Sequence, residues 1–242
     1  MIVLHKQELI FLKTRKVAGT SFEIALSSFA DETSILTPIS PEDEEHRRRL
    51  GFRDAQNYKH TLRQLIGGKR RRLLVNAVAR RRLPVRYYNH IGATELKALL
   101  GEELWDRYDK VSIVRNPFDL IVSRYFWDHR NTPDPASIED WVIRDPELSL
   151  QNRRQCSVDG LDVIDHYIRY DRLEEDIQRL EKAKPGLTGL WDIFSSIRAK
   201  GQHRPAGARR SEFLTDAPKT RALVELLCAD EIKRFGFESA WD

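Results

Sequence analysis

Twice in this chain a short apolar run empties into a polar loop and then into an amphipathic stretch, the order of a strand, an anion-holding turn and a helix. Leu9-Ile10-Phe11-Leu12 leads through Lys13–Gly19 into a segment where Phe22, Leu26 and Phe29 recur at helical spacing. Val111-Ser112-Ile113-Val114 leads through Arg115-Asn116-Pro117 into a helix expected from about Phe118 to Asp128, with Leu120, Ile121, Tyr125 and Phe126 on one face. Pro117 stands where the first turn of a helix has no use for a backbone N–H. A third unit begins at Val163–Ile168, whose alternation suits a strand. Asp171 with Glu174 three residues on then reads as a capped start for a helix to about Lys182. Strand and helix alternate, which predicts an α/β fold of three layers, a mostly parallel central sheet flanked by helices.

The remaining segments attach to that frame. Ala217–Phe235 reads as one amphipathic helix stopped by Gly236. Residues 186–210 are rich in glycine, proline and basic side chains and read as a long loop. Residues 40–83 are polar and basic, with helices expected near Pro41–Leu50 and Leu62–Val78, and read as a basic helical insertion between the first strands. At 242 residues the whole suits a single domain carrying that insertion. With 40% hydrophobic and 32% charged residues a real core is available, and no apolar run reaches the roughly 20 residues of a bilayer span. Met1–His5 is too short an apolar start for a signal peptide. The two cysteines, Cys156 and Cys228, suit neither a stapled scaffold nor a zinc site, so a cytoplasmic setting and buried thiols are expected.

The net charge of +4 is modest, but arginines crowd at Arg47–Arg49, Arg70–Arg72, Arg80–Arg82 and Arg209–Arg210. Such clusters attract polyanions, or simply form solvated helix faces. No zinc-finger spacing or RNA-binding signature accompanies them, so nucleic acid is not the expected partner.

The chemistry concentrates in Lys16-Val17-Ala18-Gly19-Thr20-Ser21, between a strand and a helix. A helix N-terminus presents unpaired N–H groups and positive partial charge, and so receives phosphate. Gly19 lets the backbone come close to the anion, Thr20 and Ser21 add hydroxyls, and Lys16 adds a full charge. The nucleotide-triphosphate loop G-x-x-x-x-G-K-[ST] is absent, because the lysine here precedes the glycine. In the second unit Arg115 leaves a strand end and Ser123 follows two helical turns later. Arg115 could grip a phosphate in bidentate fashion or pair with Asp119; Ser123 could cap the same anion or bond its own backbone. Two anion sites on successive units match a ligand with two separated phosphates.

In these stretches the chain resembles the sulfotransferases that use 3′-phosphoadenosine 5′-phosphosulfate (PAPS), in particular the carbohydrate branch called sulfotransferase family 2. Lys16–Ser21 is similar to the family's 5′-phosphosulfate loop, and Val114–Phe118 with Ser123-Arg124-Tyr125 to its 3′-phosphate motif. Tyr88–Ala93, Ile168–Glu174 and Phe235-Gly236-Phe237 follow in the family's order. The resemblance implies a P-loop NTPase-like fold, PAPS as sulfuryl donor, adenosine 3′,5′-bisphosphate as product, no required metal, and a hydroxyl acceptor such as a glycan or other alcohol. It implies Lys16 at the leaving oxygen, Val17, Ala18, Gly19, Thr20 and Ser21 around the 5′-phosphate, Arg115 and Ser123 on the 3′-phosphate, and His90 as general base.

Seven histidines compete for that last role, and His90 alone follows an aromatic, strand-like pair, Tyr87-Tyr88, and precedes a helix expected at Ala93–Leu100. Glu23 and Asp128 are substitutes, though solvated helix positions explain them more simply. The chain departs from the family in carrying Arg15 where proline is common, and Phe213-Leu214 where an aromatic pair is usual. Arg204, in the long loop, is a further donor-binding candidate. Two other classes share some of these features: a nucleotide kinase or NTPase of related fold, and a non-catalytic polyanion-binding module.

Overall fold

The computed structural model describes residues 1–66, 83–197 and 213–238. The expected helix beyond Ile66, the basic runs at 70–72, 80–82 and 209–210, and Arg204 lie outside the described residues.

Among the described residues five strands form one sheet, in the order β3-β1-β2-β4-β7. They are β1 Ile2–Leu4, β2 Leu9–Phe11, β3 Ile35–Leu36, β4 Asp109–Val114 and β7 His166–Arg169; β5 Ser157–Val158 and β6 Leu161–Asp162 form a separate small hairpin. Strands β2, β4 and β7 run parallel, while β1 is antiparallel to both β2 and β3. The sheet is therefore mixed, not mostly parallel. The sequence hid β1 because three apolar residues are too few to announce a strand. A tight turn makes it possible: Glu8 adopts φ 50° and its N–H reaches the His5 carbonyl at 3.2 Å.

Alternation along these strands sorts the core into two layers. Ile2, Leu4, Leu9, Phe11, Val111, Ile113 and Ile168 face the helices Gly19–Ser27, Leu173–Ala183 and Leu190–Ser196. Val3, Ile10 and Leu12 face the opposite side, against Tyr87, Ile91, Leu96, Trp105 and Tyr108. Phe11 and Phe22 meet edge to face at 4.9 Å, fixing the first helix on the sheet. A third cluster, built from Phe118, Ile121, Val122, Val142, Leu214 and Val224, joins the helix Pro117–Asp128 to the later helices. Phe213-Leu214 belong to it: Leu214 is buried there, and Phe213 packs on Phe126 at 4.8 Å.

Other boundaries shift for local reasons. Asp171 does not cap the following helix; it is drawn to Arg169, and a turn of 3₁₀ helix at Tyr170–Arg172 precedes the helix Leu173–Ala183. The expected long helix at the C-terminal end is two, Pro218–Leu227 and Ala229–Phe235, broken at Cys228, with Gly236 left-handed at the stop. Part of the expected loop after residue 186 is the helix Leu190–Ser196. Tyr87-Tyr88 is loop, not strand. In the 40–83 segment, which lies after β3, the helix Pro41–Arg49 forms with the Ser40 side chain accepting from Asp43 N–H and acidic residues in its first turn. Among the described residues no helix is long and apolar enough to cross a membrane.

The parallel trio matters most for function. β2, β4 and β7 end at the same edge, so the loops after Phe11, Val114 and Arg169 open side by side. That edge is where ligands settle in sheets of this kind.

Candidate functional site

The loop from Lys13 to Ala18 is unusually shaped and heavily tethered. Lys16 and Ala18 both sit in the left-handed region, at φ 61° and 59°, where a side chain costs on the order of 1 kcal/mol or more. Neighbours hold them there. Thr14 Oγ1 donates to the Ile113 carbonyl at 2.9 Å, and Arg115 Nη1 donates to the Lys16 carbonyl at 3.0 Å. The Asn152 amide accepts from Arg15 N–H and donates to the Arg15 carbonyl, each at 2.9 Å. The turn delivers the chain into the helix Gly19–Ser27, whose N-cap, Ala18, offers no side-chain cap. Gly19 leaves little room for a side chain: a Cβ there would lie 3.0 Å from Lys13 Cγ and 3.4 Å from the Thr14 carbonyl oxygen.

This loop forms one wall of an open cleft of about 940 Å³, which Lys16, Gly19, Thr20 and Ser21 share with His90, Arg124 and Trp127. The Val17 side chain is buried in the core, so that residue offers the cleft only its backbone. Lys16 Nζ rests 4.2 Å above the Trp127 ring, whose face also attracts the Arg130 guanidinium at 4.3 Å. Burial, and then the charge of Arg115, push the Lys16 ammonium down to about 8. It remains mainly charged at neutral pH.

His90 faces the loop from a segment far along the chain. Its Nδ1 lies 2.9 Å from the Lys13 carbonyl, which can only accept, so Nδ1 carries the hydrogen and Nε2 keeps a lone pair. The residue itself is left-handed, at φ 61°. Burial, and next the charge of Lys13, push the imidazole down to about 4, which keeps it neutral at pH 7. A neutral imidazole with one nitrogen anchored and the other open is the state a proton acceptor needs.

The substitutes for that role are otherwise engaged. Glu23 is not a solvated helix residue: it is fully buried and bridges Lys13 Nζ at 2.7 Å and the Met1 amino group at 2.9 Å. Burial alone would raise its pKa, but those two cations hold it down to about 2. Asp128 pairs with Arg124 at 2.8 Å. Among the other histidines, His5 is held by Tyr108, His129 by the Tyr125 carbonyl and His166 by Asp109.

Arg115 is buried, with its guanidinium 4.3 Å over the Tyr170 ring. It touches the loop through Lys16 yet borders a neighbouring cavity of about 640 Å³, which meets the cleft at Thr14. Ser123 is half-buried in the helix Pro117–Asp128 and lines neither space. Thus Lys16, Gly19, Thr20, Ser21 and His90 come together in one cleft, Arg115 stands directly behind the loop, and Ser123 stands apart. Sequence reasoning passed over Trp127, Asn152 and Gln155, because an isolated aromatic or amide carries no motif.

No family model, no curated protein and no solved structure matches the chain.

Proposed function

We propose that the chain transfers the sulfuryl group of PAPS to a hydroxyl of an acceptor, a glycan or other alcohol, by in-line displacement. The observation that carries the reading is the joint placement of an anchored neutral imidazole, His90, and a cationic loop at an open helix N-terminus, Lys16–Ser21, on one cleft.

In this reading the N–H groups of Gly19, Thr20 and Ser21 receive the 5′-phosphate, assisted by the positive end of the helix. Arg115, adjoining at the Lys16 carbonyl, is the candidate for the 3′-phosphate, with Ser123 requiring movement to join it. The acceptor oxygen attacks sulfur while the bond from sulfur to the bridging phosphate oxygen breaks, its electron pair leaving on that oxygen. Lys16 meets the charge gathering there; an interaction that strengthens as the bond breaks lowers the barrier. The proton lost by the acceptor goes to His90 Nε2. In the free protein that nitrogen is a poor base, and the negative charge of a bound donor favours its protonation. The sulfuryl group carries less charge than a terminal phosphate, so a lysine suffices and no metal enters the reading. The buried, unpaired Cys156 and Cys228 suit a cytoplasmic setting.

Calorimetric titration with adenosine 3′,5′-bisphosphate and with adenosine 5′-phosphate tests the proposal. A preference for the bisphosphate of about tenfold or more is expected, the worth of one added hydrogen-bonded charge contact. Equal affinity for the two, or magnesium-dependent ATP hydrolysis in place of PAPS turnover, overturns it.

A further inference from the structure

The loop's left-handed residues need a restraint, and the short helix Gln151–Gln155 supplies it. Asn152 and Gln155 stand three residues apart and point inward, while Arg153 and Arg154 between them are exposed. Asn152 makes a reciprocal pair with the Arg15 backbone, accepting from its N–H and donating to its carbonyl. Buried Gln155 donates from Nε2 to the Lys13 carbonyl at 2.6 Å and reaches the Ile91 carbonyl at 3.4 Å. The Lys13 carbonyl is also the acceptor for His90 Nδ1. One amide side chain thus touches both the loop and the segment that carries the imidazole. The helix is itself anchored, by Gln151 to Arg124 and by Arg153 to Asp230 at 3.1 Å.

We propose that Asn152 and Gln155 are positioning residues that hold the Lys13–Lys16 backbone in its anion-receiving shape and fix His90 relative to it. Strained backbone persists only where surrounding contacts over-determine it, and a preformed cradle avoids ordering on binding. Asn152 sets the loop's tilt by holding the two successive peptide groups that flank the Arg15 Cα; Gln155 sets its distance from His90. The proposal rests on the reading of this loop as the donor's anion cradle, yet the restraint itself is measurable without any donor.

The test compares wild type with Asn152→Ala, Asn152→Asp and Gln155→Ala by amide hydrogen exchange and by titration with adenosine 3′,5′-bisphosphate. Asn152→Ala should speed exchange of the Arg15 amide by about tenfold or more and weaken bisphosphate binding by a similar factor, while the helix Leu173–Ala183 keeps its protection. Asn152→Asp keeps an acceptor for Arg15 N–H but loses the donor, so it should restore part of the loop's protection. Gln155→Ala should loosen Lys13 and Ile91 more than Arg15. Unchanged loop exchange in Asn152→Ala overturns the proposal, as does exchange that rises equally in the helix Leu173–Ala183. Should Asn152→Ala fail to fold, Asn152→Asp and Gln155→Ala carry the same comparison. If wild type binds no bisphosphate, the donor reading falls and the exchange data alone decide for or against the restraint.

Discussion

Arg115 Nη1 donates to the carbonyl oxygen of Lys16 at 3.0 Å, although 99 residues separate the two. The contact joins the end of β4 to the turn after β2, and it places two cations in adjacent positions at the same sheet edge. The Arg115 guanidinium lies over the Tyr170 ring while one nitrogen holds the loop. Lysine offers no planar fork to do both. Arg115→Lys should therefore weaken adenosine 3′,5′-bisphosphate binding by about tenfold or more, with a smaller loss for adenosine 5′-phosphate, as read by calorimetry.

The depressed Lys16 ammonium sets an alkaline limit. In the proposed reaction, a cation that loses its proton near pH 8 in the free protein stops attracting the donor above that pH. The donor kcat/KM, which reports the free enzyme, should fall as pH rises through about 8. Lys16→Arg removes the titration and should abolish the limb, whatever it does to the rate at neutral pH.

His90 should divide binding from turnover. His90→Ala is expected to cut turnover about 10²–10⁴-fold and leave bisphosphate affinity nearly unchanged. Stability carries a second signature. The folded imidazole titrates near 4, below its ordinary value of 6.5, so the unfolded chain takes up the proton first as pH falls. This group's contribution to stability is complete above about 6.5 and is lost between there and about 4. Urea denaturation of wild type and His90→Ala across that window should show a shallower acid loss in the variant.

Glu23→Gln leaves the buried Lys13 ammonium without its counter-charge. Removing one member of a buried ion pair typically costs about 3–5 kcal/mol, so a loss of that order is expected in urea denaturation. In wild type the folded carboxylate titrates near 2, well below its usual value, so the stability it contributes is present above about 4.5 and is lost as pH falls through about 2. That acid-dependent loss should be missing from the variant.

Gly19→Ala tests the packing beneath the loop. The new methyl would lie 3.0 Å from Lys13 Cγ, and that side chain is pinned by Glu23. Relief must come from the loop, so bisphosphate affinity should drop, accompanied by a destabilisation of about 1–3 kcal/mol typical of overpacking. Calorimetry and thermal melting read the two effects separately.

What the residues disclose on their own follows the range over which their physics acts. The first helix and the helix after Pro117 are legible because apolar spacing and a proline at the first turn are local signals. The helix Ala93–Leu100 lies at the expected residues for the same reason. β1 is illegible because its three residues become a strand only through two antiparallel neighbours. Asp171 looks like a cap until Arg169, two residues before it, claims the carboxylate. Glu23 looks like a solvated helix residue because nothing in its neighbourhood announces that Lys13 will be buried beside it. At the cleft, Lys16 and Gly19 stand out as residue types in a pattern, whereas His90 is singled out only by the family resemblance, since the strand-like pair before it is loop. The amides that restrain them act across 137 and 142 residues, beyond the reach of any spacing rule.

Apart from the Lys13–Glu23 pair, the restraints on the loop arrive late. His90, Arg115, Asn152 and Gln155 are each made long after the motif they hold. A peptide carrying only the first third of the chain would contain every residue of the K-x-x-G-T-S signature and still lack the cradle's shape. Contacts between segments this far apart in sequence form only after long loops close, so the shape of this turn depends on the later two-thirds of the chain.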